Sequence, residues 1–386
     1  MESTVHRPTL RKRNVLFALL LCLTALLSSL ATKLYLTNVP ESQELSQTYL
    51  YRLQFEASPK YKANPDYVGA NPWDVMTTYR RLTDKFPYTK SPGGIPRKIF
   101  QMWITPGELN ESTIPYPEYR QTWREKNPHH EYRMLSGEDL KRAVKSAFEH
   151  TVPEVWEAMD TMPLMILQSD FSRYLMLFLE GGVWADLDTT CDRPISKWYH
   201  NLVDYDIRFV GSVEHDVNDE SWPSLTSRRL QFENWAFTSD RFHPVLAMVI
   251  AHVVRMHFTV MYSGNLNMYS DDSETKACNR LSVIDWTGPG VFSDGIYRYM
   301  NEAENRELLE IEFNRHNANE ELYGPGTSDK INWRGFSGLK APVIFNNDVC
   351  ILPKSGFRCT SDFDESVEEY CYLTHHFARS WFSEVE

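Results

Sequence analysis

Residues 169–189 read SDFSRYLMLFLEGGVWADLDT, and this stretch decides the fold. Its apolar run predicts a helix over Pro163–Glu180 that stops at Gly181-Gly182, because glycine ends helices readily. Val183–Asp186 then enters as an apolar strand. Outward from this unit, Arg97–Trp103 reads as a first strand, Glu118–Lys126 as a helix, His130–Leu135 as a second strand and Gly137–Glu149 as a helix. Arg208–Val213, Gln231–Phe237 and Pro342–Phe345 are further strand candidates. Helices alternating with strands predict an α/β fold with a mainly parallel central sheet and ligands at the strand carboxyl ends.

The chain has 386 residues, 40 basic against 52 acidic side chains, and a formal net charge of −12. An acidic surface repels phosphate backbones, so no nucleic-acid partner is expected. Hydrophobic residues at 42% and charged residues at 24% fit a folded body. The sequence contains no P-loop, no G-x-G-x-x-G fingerprint, no H-E-x-x-H and no G-x-S-x-G elbow. P-loop hydrolysis, zincin proteolysis and α/β-hydrolase chemistry are therefore disfavoured.

Arg7, Arg11, Lys12 and Arg13 precede Asn14–Thr32, an uncharged run rich in Leu and Ala. Nineteen residues at about 1.5 Å each span roughly 28 Å, close to a bilayer core of about 30 Å. The expectation is a cytoplasmic tail over 1–13, a transmembrane signal-anchor over 14–32 and a lumenal body beyond. The competing reading is a cleaved signal peptide, with Ser29-Leu30-Ala31 as the small-residue site, but the run exceeds the usual apolar region of such signals. Residues 33–92 are polar and carry six prolines (40, 59, 65, 72, 87 and 92), so they read as a stem, with a short helix over Ser42–Phe55. A catalytic domain follows over 93–386. A second apolar stretch, Pro244–Tyr262, is interrupted by His252, Arg255 and His257 and reads as a buried helix of that domain.

Cys22 lies in the anchor, leaving Cys191, Cys278, Cys350, Cys359 and Cys371, an odd number. A zinc set of Cys350, Cys359, Cys371 and His375 matches no common spacing, and a disulfide within that cysteine trio is the better expectation in an oxidising lumen. Asn110-Glu111-Ser112 is a glycosylation sequon expected on a surface loop.

Asp186 and Asp188 fall two apart where a strand should end, and in extended geometry such residues share a face at about 6.6 Å. Two carboxylates aimed at one spot can hold a hard divalent cation and a diphosphate. A bare Asp-x-Asp is common by chance, and its place after a helix, a double glycine and an apolar strand is what raises it. They could also approximate the carboxylate spacing of a retaining glycosidase, but neighbours on one strand end do not flank a scissile bond. Asp170 and Arg173, three apart, share a helix face, which suits either an ordinary ion pair or ligand binding. Near the C-terminus, His375-His376-Phe377 offers imidazole nitrogens suited to Mn²⁺ or zinc. Trp286-Thr287-Gly288-Pro289-Gly290 opens a helix whose N-terminus attracts anions, or is simply a tight turn.

In their order along the chain, these blocks resemble glycosyltransferase family 32, and within it the fungal initiation-specific α-1,6-mannosyltransferases and their Golgi homologues. Ile95–Trp103 is similar to that family's opening strand, Ser169–Tyr174 and Gly181–Thr189 to its central signature, and Arg228–Phe232, Ile284–Phe292 and His375–Trp381 to its later blocks. The resemblance implies a GT-A nucleotide-sugar-binding fold, a GDP-mannose donor, a mannosylated glycan or glycoprotein acceptor, Mn²⁺ as cofactor, retention of configuration and a single-pass Golgi membrane protein. It implies metal ligation by Asp188 and His376, with His375 second, and a ribose or metal-water contact for Asp186. Asp170 and Arg173 would hold the donor sugar and phosphate, Trp103 would line the nucleotide pocket, and Gly288 would border the donor. Arg379 stands where the family commonly has glycine, and a long cation there would either clasp the diphosphate or crowd the site. The rivals are a family 32 transferase with another donor or a sphingolipid acceptor, and a non-catalytic subunit of a Golgi mannosyltransferase complex.

Overall fold

A computed structural model describes residues 74–104, 109–198, 202, 204–217, 226–263, 283–302, 331, 333–359 and 370–378. The expected tail, the apolar run 14–32, the stretch Ser42–Phe55 expected to be helical, Cys22, Cys278 and Arg379 lie outside them. Among the described residues, no helix is long and apolar enough to cross a membrane.

The helices are α1 (Val75–Lys85), α2 (Pro117–Lys126), α3 (Gly137–Phe148), α4 (Pro153–Thr161), α5 (Met165–Glu180), α6 (Pro244–Ser263) and α7 (Pro289–Asn301). The strands are β1 (Lys98–Met102), β2 (Glu131–Leu135), β3 (Gly182–Ala185), β4 (Thr189–Cys191), β5 (Phe209–Asp216), β6 (Leu230–Phe232), β7 (Ala236–Ser239), β8 (Val343–Phe345), β9 (Val349–Leu352) and β10 (Leu373–His375). The main sheet has the order β2-β1-β3-β7-β5-β9-β8, with β6 on β5. Strands β2, β1, β3, β5 and β9 run one way, while β7, β8 and β6 run the other. The fold is thus mixed α/β with a mainly parallel central sheet, as the alternation predicts.

All four residues of β3 are buried, and α5 is buried on nearly every side. A helix apolar all round belongs in a core, and α5 lies between α3, α6, β3 and β7. The stretch Pro244–Tyr262 forms most of α6, which packs on α7, α1, α5 and α4. Its His257 is fully buried, and the imidazole Nε2 meets the Thr161 hydroxyl at 2.8 Å.

Helix α1 lies inside the proline-bearing stretch 33–92. Asp74 caps it by accepting from Thr77 N at 3.1 Å, and Val75, Thr78 and Leu82 are buried. Ser91 N donates to the buried Asp240 carboxylate at 2.9 Å, which also takes Arg208 Nη1 at 3.2 Å. The folded body therefore includes residues upstream of Gly93. Prolines at the flanks of α1 leave its own apolar face intact, which is why composition alone hides it.

The strand expected over Gln231–Phe237 is two strands. The chain leaves β5 after Phe232 and joins β3 and β5 from Ala236, with Glu233–Trp235 as the bend between. A smaller antiparallel sheet pairs β4 with β10, setting His375 opposite Thr189 and Thr374 opposite Thr190.

Cys359 and Cys371 form a disulfide, and Cys191 and Cys350 are buried free thiols. The bridge closes a loop across a sequence separation of 12, for which chain entropy gives about 3 kcal/mol. The double variant Cys359→Ala, Cys371→Ala is expected to melt roughly 6–10 °C lower. An unchanged melting temperature would show that the bridge stabilises nothing. Asn110 sits on an exposed turn where its Oδ1 accepts from Ser112 N at 3.0 Å.

Candidate functional site

The first half and midpoint of α5 carry Asp170 and Arg173 to the carboxyl end of β3, because Gly181-Gly182 reverses the chain without an intervening loop and sets the early turns of the helix beside the far end of the strand. Arg173 Nη2 donates to Asp170 Oδ1 at 2.6 Å and Nη1 to Asp186 Oδ2 at 3.2 Å. Nη1 also reaches the Asn234 carbonyl at 3.0 Å. One arginine thus joins the helix acid to the strand-end acid, and both Asp170 and Arg173 are almost wholly buried. Removing either partner would leave a buried charge uncompensated, which costs far more than a surface pair. Asp170 Oδ2 accepts from Thr287 Oγ1 at 3.2 Å, while Asp186 Oδ1 accepts from Trp184 Nε1 at 2.8 Å. Burial pushes the Asp170 carboxyl up to about 6, with Arg173 pulling the other way. Burial likewise raises Asp186, against Arg173.

Asp188 lies in the turn after β3 and faces the C-terminal segment. Its Oδ1 is 3.2 Å from His375 Nε2, and its Oδ2 accepts from Ala378 N at 2.9 Å. The Asp188 carbonyl accepts from His376 N at 2.8 Å. Burial acts to raise the Asp188 carboxyl, but the His375 contact and the Ala378 N–H outweigh it and hold it below the usual carboxylate range. The Trp235 ring stacks on His375 at 4.4 Å, and Phe377 meets it edge-on at 4.1 Å.

The expected extended pair of carboxylates is not what forms. β3 ends at Ala185, and the turn that follows sends Asp186 toward α5 and Asp188 toward β10, with Thr189 Oγ1 closing on the Asp186 carbonyl at 2.6 Å. The histidine facing Asp188 is His375. His376 points outward, stacked on Tyr119 at 4.1 Å with its Nε2 3.3 Å from Thr190 Oγ1. The β4–β10 register decides this by setting His375 opposite Thr189, while His376, the first residue past the strand, turns to the other side.

Trp103 follows β1 at the carboxyl edge of the sheet, where its N–H donates to the Leu135 carbonyl at 3.1 Å. Gly288 caps α7, and a Cβ there would lie 2.8 Å from Ile284 Cα, so close packing accounts for the glycine. The residue of that block that reaches the buried acids is Thr287. The sequence points to Thr287 only as part of the Trp286–Gly290 block, and to Asn234 and Trp235 as site residues not at all. Asn234 and Trp235 contribute main-chain carbonyls, Trp235 O accepting from Asp186 N at 2.8 Å, and carbonyls carry no sequence signal. The break of period inside Gln231–Phe237 is the one trace they leave.

A carboxylate held ionised beside an imidazole nitrogen is a donor set that suits a divalent cation such as Mn²⁺. The Asp170–Arg173–Asp186 network next to it, buried except at Asp186, offers fixed hydrogen-bonding groups of both kinds to a polar ligand.

Residues 116–204 match the family described as "Glycosyltransferase sugar-binding region containing DXD motif". The chain is 28% identical to the initiation-specific alpha-1,6-mannosyltransferase of Candida albicans, over 95% of this chain and 92% of that one. It is 25% identical to the protein of the same name from Saccharomyces cerevisiae, over 78% and 81% respectively. It is also 24% identical to inositol phosphoceramide mannosyltransferase 3 of Schizosaccharomyces pombe, over 46% of this chain and 44% of that one.

Proposed function

Since the chain belongs to the DXD-containing glycosyltransferases of the family 32 type, we propose that it moves mannose from GDP-mannose to an α-mannosyl acceptor on N-glycans, forming an α-1,6 linkage with retention. The observation that carries this reading is Asp188, held ionised between His375 Nε2 and Ala378 N–H beside the buried Arg173 network. It is read as a single-pass Golgi protein anchored by residues 14–32, with its catalytic body in the lumen.

Asp188 and His375 would hold Mn²⁺, which when bound offsets the negative charge that collects on the departing diphosphate. Arg173 fixes Asp170 and Asp186 and keeps its buried Nε–H unpartnered among the described residues, a donor for the sugar or phosphate. Asp186, with its Oδ atoms tied to Trp184 and Arg173, suits a hydrogen-bonding role toward the ribose rather than direct ligation. In transfer the mannosyl C1–O bond to phosphate breaks and C1 bonds the acceptor oxygen. The acceptor's proton passes to the leaving phosphate, consistent with attack on the front face. Trapping a covalent mannosyl-enzyme would overturn that route.

The test is GDP release by the purified full chain with GDP-mannose and an α-mannosyl oligosaccharide. Acceptor-dependent release with Mn²⁺, lost on chelation, is expected. No release from folded protein would count against the reading and in favour of a non-catalytic subunit. The likeness to the inositol phosphoceramide enzyme gives a second acceptor to offer, a sphingolipid headgroup, and preference for it would move the assignment within the same transferase class.

A further inference from the structure

Three buried polar groups lacking a hydrogen-bond partner among the described residues fall within five residues of one another. They are Gln231 Oε1, both carboxyl oxygens of Glu233, and Trp235 Nε1. Their side chains belong to residues only 3%, 0% and 4% exposed. Buried polar atoms are normally paired, so a run of three exceptions calls for a reason.

Their surroundings lie against the transferase site. Gln231 Nε2 donates to Glu214 Oε2 at 2.7 Å, and Glu214 also acts electrostatically on Glu233. The Ser212 hydroxyl, which donates to the Pro353 carbonyl at 3.1 Å, adjoins the Glu233 carboxyl and pulls its pKa downward against its burial. Arg358, the cation acting on Glu233, lies 4.9 Å over the Phe377 ring, which packs on His375. Trp235 itself stacks on His375, and between Glu233 and Trp235 the Asn234 carbonyl holds Arg173. One short segment therefore links the Arg173 network and the Asp188–His375 pair to an acid-lined edge. β5, which carries Glu214, ends on the same side of the sheet as β3 because both run the same way.

The chemistry of the three groups narrows the ligand. An amide oxygen accepts, an indole N–H only donates, and a carboxyl does either according to its protonation. Burial, reinforced by Glu214, drives Glu233 toward its neutral form. A neutral carboxyl and an indole N–H are poor cation ligands. Vicinal hydroxyls, each both donor and acceptor, match such a mixed row. We propose that Gln231, Glu233 and the Trp235 indole form the acceptor-sugar subsite, binding the hydroxyls of a hexopyranose next to the one that is glycosylated. This rests on the transferase reading above and adds to it where the acceptor sits.

Calorimetric titration of the full chain with methyl α-mannoside and an α-mannosyl oligosaccharide tests the subsite without requiring turnover, beside a titration with GDP and Mn²⁺. Glu233→Leu is the decisive variant, because an apolar isostere of an unpartnered buried acid leaves the fold as stable or more so. Its affinity for the mannosides is expected to fall at least ten-fold, while that for GDP with Mn²⁺ changes less than about three-fold and melting does not drop. Trp235→Phe keeps the ring on His375 and removes only the N–H, so it should show the same split. Mannoside affinity unchanged in both variants, equal losses of mannoside and nucleotide, or native protein that binds neither mannoside would each overturn the subsite. Native protein that binds mannoside but prefers UDP to GDP would instead count against the donor assignment alone.

Discussion

Asp188→Ala is expected to lower metal-dependent turnover by at least about 10³-fold while leaving the body folded. The side chain is the one carboxylate of the site that faces His375, with its second oxygen on Ala378 N. Alanine removes the negative charge and the oxygen ligand together, and His375 alone offers a cation one nitrogen. The stability cost should be small because these contacts sit at a partly open edge, with side-chain exposures of 17% for Asp188 and 11% for His375. Asp188→Asn keeps the hydrogen bond from Ala378 but not the charge, so it should be nearly as inactive. The checks are GDP release across a Mn²⁺ titration and a melting curve. Activity within ten-fold of native at saturating Mn²⁺ would remove Asp188 from the site.

Gly182→Ala should abolish the fold rather than the chemistry. Gly182 has φ of +120°, and a Cβ there would lie 2.6 Å from the Lys98 carbonyl oxygen and 3.1 Å from Lys98 Cβ. The obstacle is the backbone of β1, which cannot move without breaking its pairing with β3 at Ile99–Val183 and Phe100–Trp184. The other side is fixed by β7, where Gly182 pairs with Ser239. Conformational strain and overpacking in a central strand together exceed about 4 kcal/mol, a large share of the stability of an ordinary domain. Loss of soluble protein, or a collapse of the denaturation midpoint, is the expected result. A midpoint close to native would mean that β1 and β3 can part at little cost.

What was legible in the sequence was local. The i, i+3 spacing of Asp170 and Arg173, the helix stop at the double glycine and the apolar entry to Asp186 each depend on residues a few positions apart, and each appears in the structure. Asp188 was legible as a candidate, but not the direction it faces, because a turn replaces the extended geometry. The choice between His375 and His376 depends on the register of β10 on β4, a pairing between distant segments that no local pattern encodes. Helix α1 was hidden by flanking prolines. Thr287 and Asn234 act through a hydroxyl and a main-chain carbonyl, groups that residue type barely advertises, and Trp235 adds a carbonyl on Asp186 N to the ring it stacks on His375.

The pairing of β10 with β4 also sets an order of events. Asp188 and Ala378, joined by one hydrogen bond, are 190 positions apart along the chain, and contacts of such separation are slow to form. A nascent chain that has emerged through β4 already displays its acidic turn, yet has no histidine to set against it. On the proposed reading, the Asp188–His375 pair is completed only with synthesis of the segment beyond Leu373, so a prematurely terminated or clipped product is expected to be inert even where its sheet has folded.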